Sequence, residues 1–329
     1  GGSAITSYTV TAYDSSGNAA GTCTGSGTTY TCTGLTNGAA YTFKATATNA
    51  LFTSDLSTAS SAVTPATVPG APTSLAASSS TSGSATITFT APTSDGGSSI
   101  TGYTITSSPA GATCTVGRNA TTYTCTGLTD GTAYTFTAVA TNEIGNSLAS
   151  TTNSPALITQ GAASKPATIS AVAGDSQATV TFSGAVANGS TITSYTIQAY
   201  DSSGEAVSGA TCTATTSATN GSCIVTGLTN GSSYTFKAIT NSTANSSAVS
   251  STSSAASTAV IPAKVPDAPS SVEVTPGTGK VTVSWDEPSS NGSVILRYSV
   301  QAYNSSGEAV TGATCTANAP ALTCDVTSN

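Results

Sequence analysis

Only 6% of the 329 residues are charged; fourteen acidic against seven basic side chains leave a net charge of −7, and histidine and methionine are absent. That balance argues against nucleic acid, whose phosphates call for stripes of Lys and Arg. The basic residues are scattered singly, which argues equally against an anionic membrane surface, and no apolar run approaches the ~20 residues of a spanning helix.

The first alternating segment is Ile5-Thr6-Ser7-Tyr8-Thr9-Val10. Side chains two apart share one face of a strand, so Tyr8 and Val10 point one way and Thr9 the other. Cys23 and Cys32 follow, then Leu35-Thr36-Asn37-Gly38 and a Tyr41-Thr42-Phe43 strand. A proline-bearing stretch, Thr64-Pro65-Ala66-Thr67-Val68-Pro69, leads to Ala85-Thr86-Ile87-Thr88-Phe89, a turn at Asp95–Ser98, and the opening segment again as Ile100–Ile105. The series then repeats with Cys114/Cys125 and Leu128–Phe136. It repeats once more through Pro166, Ala178–Phe182, Ile192–Ile197, Cys212/Cys223 and Leu228–Phe236. After Ile261–Pro266 it runs from Val281–Trp285 through Ile295–Val300 to Cys315 and Cys324. Helix periodicity between plausible caps is missing throughout, so the chain reads as all-β.

Tyr8, Tyr103, Tyr195 and Tyr298 lie 95, 92 and 103 residues apart. A period near 100 exceeds that of solenoid repeats and suits a β-sandwich domain. Four segments follow: 1–66, 67–162, 163–263 and 264–329. The first lacks the strands that open the others, and the last stops before the Tyr-x-Phe strand. Either piece alone leaves a half-sandwich with bare edges. The two overlap in their middle strands, so head-to-tail complementation duplicates strands, and an excerpt from a longer array is the expected reading. Gly1–Thr6 match the interior of later repeats, which places any leader outside this sequence.

The eight cysteines fall into four close pairs, Cys23/Cys32, Cys114/Cys125, Cys212/Cys223 and Cys315/Cys324. An even count at recurring local spacing reads as disulfides formed in an oxidising compartment, which places the protein outside the cell, secreted or on the surface. Zinc needs C-x₂₋₄-C spacing or histidine, and neither is present. Closing a loop of about ten residues stabilises a domain by about 2–3 kcal/mol in the chain-entropy model.

Leu35-x5-Tyr41, Leu128-x5-Tyr134 and Leu228-x5-Tyr234 resemble the tyrosine corner of fibronectin type III domains, whose Tyr opens strand F and bonds back to the preceding chain. Trp285 resembles the family's strand-B tryptophan, with Phe89 and Phe182 in its place in the middle repeats. Tyr8, Tyr103, Tyr195 and Tyr298 resemble its strand-C tyrosine, and Thr48-Asn49 and Thr141-Asn142 its strand-F ending. The resemblance spans essentially the whole chain and implies tandem antiparallel sandwiches: strands C to G in 1–66, complete domains in 67–162 and 163–263, strands A to E in 264–329. A local cysteine pair between strands C′ and E, one per domain, is a departure from most family members.

Catalytic chemistry finds no purchase. Nucleophilic triads need an imidazole base, and every cysteine has a partner in its own repeat. Asp286-Glu287 are adjacent and point to opposite faces, and Asp95-Gly96-Gly97 is a turn rather than a phosphate loop. Asp14, Asp201 and Asn304 each open a Ser-Ser-Gly turn; calcium wants six to eight oxygens, so these read as Asx-capped turns. Tyr13, Tyr200 and Tyr303 lie off the core face, with Tyr30 and Tyr123 two residues before a cysteine; one or two per module make no sugar platform, and packing is the expected role. Sequons at Asn119, Asn188, Asn241 and Asn291 are expected from chance in so Ser/Thr-rich a chain.

The expectation is therefore a protein without enzymatic activity, cofactor or metal. It is a structural segment of an extracellular fibre, stalk or adhesin, a semi-rigid spacer in which proline linkers set sandwiches end to end as a rod. Its partners are neighbouring domains and like copies packed into filaments, with no membrane insertion. The low charge and Ser/Thr surface resemble prokaryotic surface proteins. The alternative is a set of accessory modules of a larger secreted protein such as a hydrolase, binding a polysaccharide, surface glycan or protein receptor.

Overall fold

The computed structural model describes residues 2–115, 121–153 and 155–327; Asn119 and the terminal Ser328-Asn329 lie outside the described residues. Every regular element described is a strand, and all paired strands run antiparallel. The chain divides into two compact units, Gly1–Gly161 and Ala162–Asn329.

The first unit opens with β1 (Ile5–Tyr13), β2 (Ala19–Ala20), β3 (Thr22–Ser26), β4 (Thr29–Thr33) and β5 (Thr42–Asn49). These form a β2-β1-β5 sheet and a separate β3-β4 hairpin. No closed core results: β5 is only half-buried along its length, and Ala12 and Tyr41 alone in this module become fully enclosed. Next come β6 (Thr73–Thr81), β7 (Ser84–Thr90), β8 (Gly102–Ser108), β9 (Thr113–Thr115), β10 (Thr122–Thr126), β11 (Ala133–Thr141) and β12 (Leu157–Ile158). They make two facing sheets, β6-β7-β10-β9 and β12-β11-β8. The two-residue alternation read from the sequence is obeyed, with Ile87, Phe89, Tyr103, Ile105 and Phe136 buried and the intervening threonines outside. Phe89 sits edge-on to Tyr103 at 4.9 Å and stacks on Tyr123 at 5.5 Å, the arrangements that aromatic quadrupoles favour.

The second unit begins with β13 (Thr168–Gly174), β14 (Gln177–Ser183), β15 (Thr191–Tyr200), β16 (Ala206–Ala214), β17 (Gly221–Thr226), β18 (Thr235–Ala244) and β19 (Ser247–Ser250). Its sheets are β13-β14-β17 and β16-β15-β18-β19, closed over Val180, Phe182, Tyr195, Ile197 and Phe236. Last come β20 (Ser270–Gly277), β21 (Lys280–Asp286), β22 (Arg297–Tyr303), β23 (Ala309–Asn318) and β24 (Thr323–Thr327), as sheets β20-β21-β24 and β22-β23 around Trp285 and Tyr298.

The segment after the strand-C tyrosine changes sheets between modules. In the third module β16 pairs with β15 over almost its whole length, and β23 does the same with β22 in the fourth. In the second module β9 lies instead beside β10, on the opposite sheet. The first module divides the segment: β2 pairs with the end of β1, and β3 then crosses to β4. The Gln198 amide donates to the carbonyls of Ala199 and Val207, and Gln301 does the same to Ala302 and Val310, at the bulge where each returning strand departs from regular pairing. Thr11 and Thr106 occupy these positions in the other modules, and a threonine side chain is too short to span the two strands.

The strand-G positions do not continue as a regular ladder. Along β5, the N–H groups of Ser54, Ser57 and Ser60 donate to the carbonyls of Ala47, Ala45 and Phe43, and the serine Oγ atoms accept from the N–H groups of those same residues. Each hydroxyl then donates to the carbonyl of the next residue. Ser251, Ser254 and Ser257 repeat the device on β18, and Ser147 and Ser150 repeat it on β11, where the Asn153 Oδ1 in turn accepts from Phe136 N–H. Three residues of this segment thus match two of the strand, with a side-chain oxygen taking the place of a main-chain carbonyl. The sheet edge is satisfied without leaving a second strand to template further pairing.

Candidate functional site: staples, tyrosine corners and module junctions

All eight cysteines are paired as disulfides in the combinations read from their spacing. The bonds nevertheless do two different jobs. Cys23–Cys32 and Cys114–Cys125 join residues directly opposite each other in one hairpin, with Cα atoms 3.9 Å apart. Cys212–Cys223 joins β16 to β17 and Cys315–Cys324 joins β23 to β24, which belong to facing sheets, at 6.1 and 6.0 Å. The difference follows from which sheet captures the cysteine-bearing strand.

At each tyrosine corner the phenol oxygen accepts a main-chain N–H from five residues upstream: Thr36 to Tyr41 at 3.0 Å, Thr129 to Tyr134 at 3.1 Å and Thr229 to Tyr234 at 3.1 Å. The Thr229 bond draws the Tyr234 phenol below its ordinary range. Leu128 and Leu228 are buried beneath their corners, whereas Leu35 is only partly covered. The loop that the tyrosine holds is also tied to the preceding hairpin. In the second module Asp130 accepts from the Ser82 hydroxyl and the Gly83 N–H; burial pushes its carboxyl up, but these bonds outweigh burial and hold it below the ordinary carboxylate range. In the third, Asn230 accepts from Ser176 N–H and donates to Asp175.

The junctions within each unit are built from the same turns. Gly38 N–H donates to Pro65 O at 2.9 Å, Thr67 N–H to Gly96 O at 2.8 Å and Gly70 N–H to Ser94 O at 2.9 Å. The linker backbone is therefore bonded to the module before it and the module after it. Asn142 adds a clamp: its Nδ2 reaches the carbonyls of Thr67 and Asp95, and its Oδ1 accepts from Ile144 and Gly145 in its own turn. In the second unit Gly231 N–H donates to Pro262 O, Lys264 N–H to Asn291 O and the Asn291 amide to Val265 O. The two turns meet backbone to backbone. Gly97 has a φ of +86° and a Cβ there would overlap Gly38 N; Gly292, at +89°, stands in the same relation to Gly231. Only glycine fits both the conformation and the approach.

The remaining sequence candidates find structural roles. Asp14, Asp201 and Asn304 each accept two main-chain N–H groups of their own turn, and the nearest of these bonds, from Asn18, leads in lowering the Asp14 carboxyl. Among the described residues no three His, Cys, Asp or Glu side chains gather as a metal site. Tyr123 is buried against Phe89, and Tyr30 donates its hydroxyl to Tyr8 O, so neither is a surface aromatic. Tyr13 and Tyr200 lie beneath Lys44 and Lys237, at 5.3 and 4.5 Å from ring centre to Nζ, whereas Tyr303 is exposed. Asn188, Asn241 and Asn291 each donate their amide nitrogen internally. Asp286 and Glu287 are exposed at the end of β21.

Sequence reasoning missed the serine segments, although the three-residue spacing of Ser54, Ser57 and Ser60 and of Ser251, Ser254 and Ser257 was in plain view. It also missed the junction role of Asn142.

The model of the fibronectin type III domain matches residues 70–155 and 164–256, more than half of the chain. The chain belongs to the fibronectin type III family. No curated protein matches its sequence. Among solved structures, the chain is similar to the FN1–FN3 domains of chicken CNTN1, at 17% identity and a TM-score of 0.40, covering 79% of this chain and 89% of that one. The fibronectin type III assignment rests on the family match and on the facing sheets and tyrosine corners described above.

Proposed function

We propose that this fibronectin type III array is a mechanical spacer: a non-enzymatic segment of an extracellular fibre, stalk or adhesin of prokaryotic type, whose modules are held in series by pinned linkers. The observation that carries this reading is the bonding at both ends of the linker that lies inside each unit, through Pro65, Thr67 and Gly70 in one and Pro262, Lys264 and Val265 in the other. A linker whose carbonyls and amides are fixed by its neighbours loses the torsional freedom that proline has already reduced. The four disulfides support an oxidising location. Like copies in a filament are the partners this role entails, and the sparse surface charge opposes lateral contact only weakly.

The test is small-angle scattering of the 329-residue protein together with electron microscopy of native material. An extended particle supports the spacer; a compact globule refutes it. The alternative, polysaccharide-binding accessory modules, is favoured instead if immobilised polysaccharides retain the protein saturably.

A further inference from the structure

The serine segment of the third module closes one edge of the sheet that holds β18, but the facing sheet of the same module keeps an open one. Its order is β13-β14-β17, and among the described residues no strand lies beyond β13. The other edge strand, β17, is fastened to β16 by Cys212–Cys223, whereas β13 carries no such tie. All seven residues of β13 pair with β14 in one unbroken register. The strand that opens the second module, β6, is broken by two register shifts, and β20 in the fourth has one shift together with Glu273 and Pro276. Bulges, charges and prolines are the devices that keep an edge from pairing with another chain. The β13 strand, Thr-Ile-Ser-Ala-Val-Ala-Gly, has none of the three.

We infer that β13 is a contact surface between copies of this chain, and that its occupant is β13 of a second copy, added antiparallel about a two-fold axis through Ala171. The identity of the occupant rests on the filament reading above; the surface rests on the strand itself. That axis overlaps the strand along its whole length, with Thr168 opposite Gly174, Ile169 opposite Ala173 and Ser170 opposite Val172. The product is a six-stranded sheet, β17-β14-β13 joined to its own copy, in which the N–H and C=O groups pointing away from β14 gain partners. Residues of like parity meet, so the half-buried Ile169 and Ala171 stay on the core side while Ser170 and Val172 stay outside.

Two observations favour a copy over a foreign peptide. The first is charge. Lys165 and Asp175, both exposed, bracket the strand. The N–H groups of Ser164 and Ala167 donate to Val186 O and Ser183 O, so Lys165 continues the line of β13. Lys165 stands six residues before Ala171 and Asp175 four after it. Across the axis they are therefore diagonal neighbours, about 7–8 Å apart, each cation beside the other copy's anion. Parallel, in-register pairing instead sets like charge on like. The second observation is the outer face. Val172, 70% exposed, stands in a row with Thr179 and with Ile224, itself 50% exposed. The axis sets Val172 diagonal to its own copy, so two apolar side chains share one patch.

The test is sedimentation velocity of the 329-residue chain over a concentration series, with amide exchange read at the lowest and highest concentrations. The expected result is a concentration-dependent dimer, with exchange slowed in residues 168–174 and unchanged in β6. Val172→Lys alters an exposed side chain and leaves the core untouched, and it weakens association roughly tenfold or more. Lys165→Asp weakens it by less, and Lys165→Asp combined with Asp175→Lys restores most of the loss. A chain that stays monomeric at every concentration overturns the proposal. Oligomers with unchanged exchange in 168–174, or indifferent to Val172→Lys, overturn the β13 surface while leaving like copies as partners. The particle shape seen in scattering tests the spacer separately from either result.

Discussion

The second and third modules carry the same elements in the same order, yet the strand after the strand-C tyrosine joins opposite sheets. In the third module the Asp201 turn reverses the chain tightly and Gln198 ties the returning strand to β15. In the second, Ser108-Pro109-Ala110-Gly111 replaces that turn, Thr106 replaces the glutamine, and Cys114 comes only 11 residues after Tyr103, where Cys212 comes 17 after Tyr195. The shorter connection reaches β10 before it can run back along β8. A few residues in one connection thus decide whether a disulfide reinforces a hairpin or fastens two sheets together.

Replacing both cysteines of a pair by alanine gives the largest effect. Cys114–Cys125 and Cys212–Cys223 have the same sequence separation of 11, so loop entropy predicts the same loss, about 3 kcal/mol in each module. Denaturant melts that report each module check this equality. Amide exchange then separates the two: without Cys212–Cys223, protection falls on β16 and β17 together, whereas without Cys114–Cys125 the β7–β10 pairing stays protected. Identical exchange patterns break the comparison.

The tyrosine corners are the control, since they are alike in both modules. Tyr134→Phe and Tyr234→Phe each leave a threonine N–H without its acceptor and cost about 1–3 kcal/mol, equally in the two modules by thermal melting. Gln198→Ala comes next, at about 1 kcal/mol, with faster exchange confined to the start of β16. Thr106→Gln in the second module leaves β9 on β10, because the connection remains too short.

The smallest effect is acidic. Asp130 titrates below its unfolded value of about 3.9, so its contribution is complete above that pH and is lost as pH falls through the lower folded value. Asn37 and Asn230 hold the corresponding positions and do not titrate. Acidification from pH 5 to 2 therefore loosens the Ser82–Gly83 turn more than the Ser176 turn, seen in the shifts of their amides, and Asp130→Asn removes the difference.

Much of this was legible in the sequence. Strict alternation at Ile87/Phe89, Val180/Phe182 and Val283/Trp285 announced buried strand faces, and Leu-x5-Tyr announced the corners. The sheet choice of the cysteine strands was not legible, because both pairings satisfy the same two-residue period and only turn geometry and connection length discriminate. The serine segments escaped for a related reason: a three-residue repeat of small polar residues carries no hydrophobic signal, although here it closes a sheet edge. Asn142 looked like the end of a strand, and its grip on Thr67 depends on a linker 75 residues away.

The pinned linker is the claim on which the mechanical account depends. Residual dipolar couplings measured across the two junctions of the intact chain test it directly. The account predicts that the two modules flanking Pro65–Gly70 share an alignment tensor, that the two flanking Pro262–Asp267 do so as well, and that the first sharing is lost on Gly97→Val with Asn142→Ala. Independent tensors for adjoining modules in the unmodified protein would contradict it.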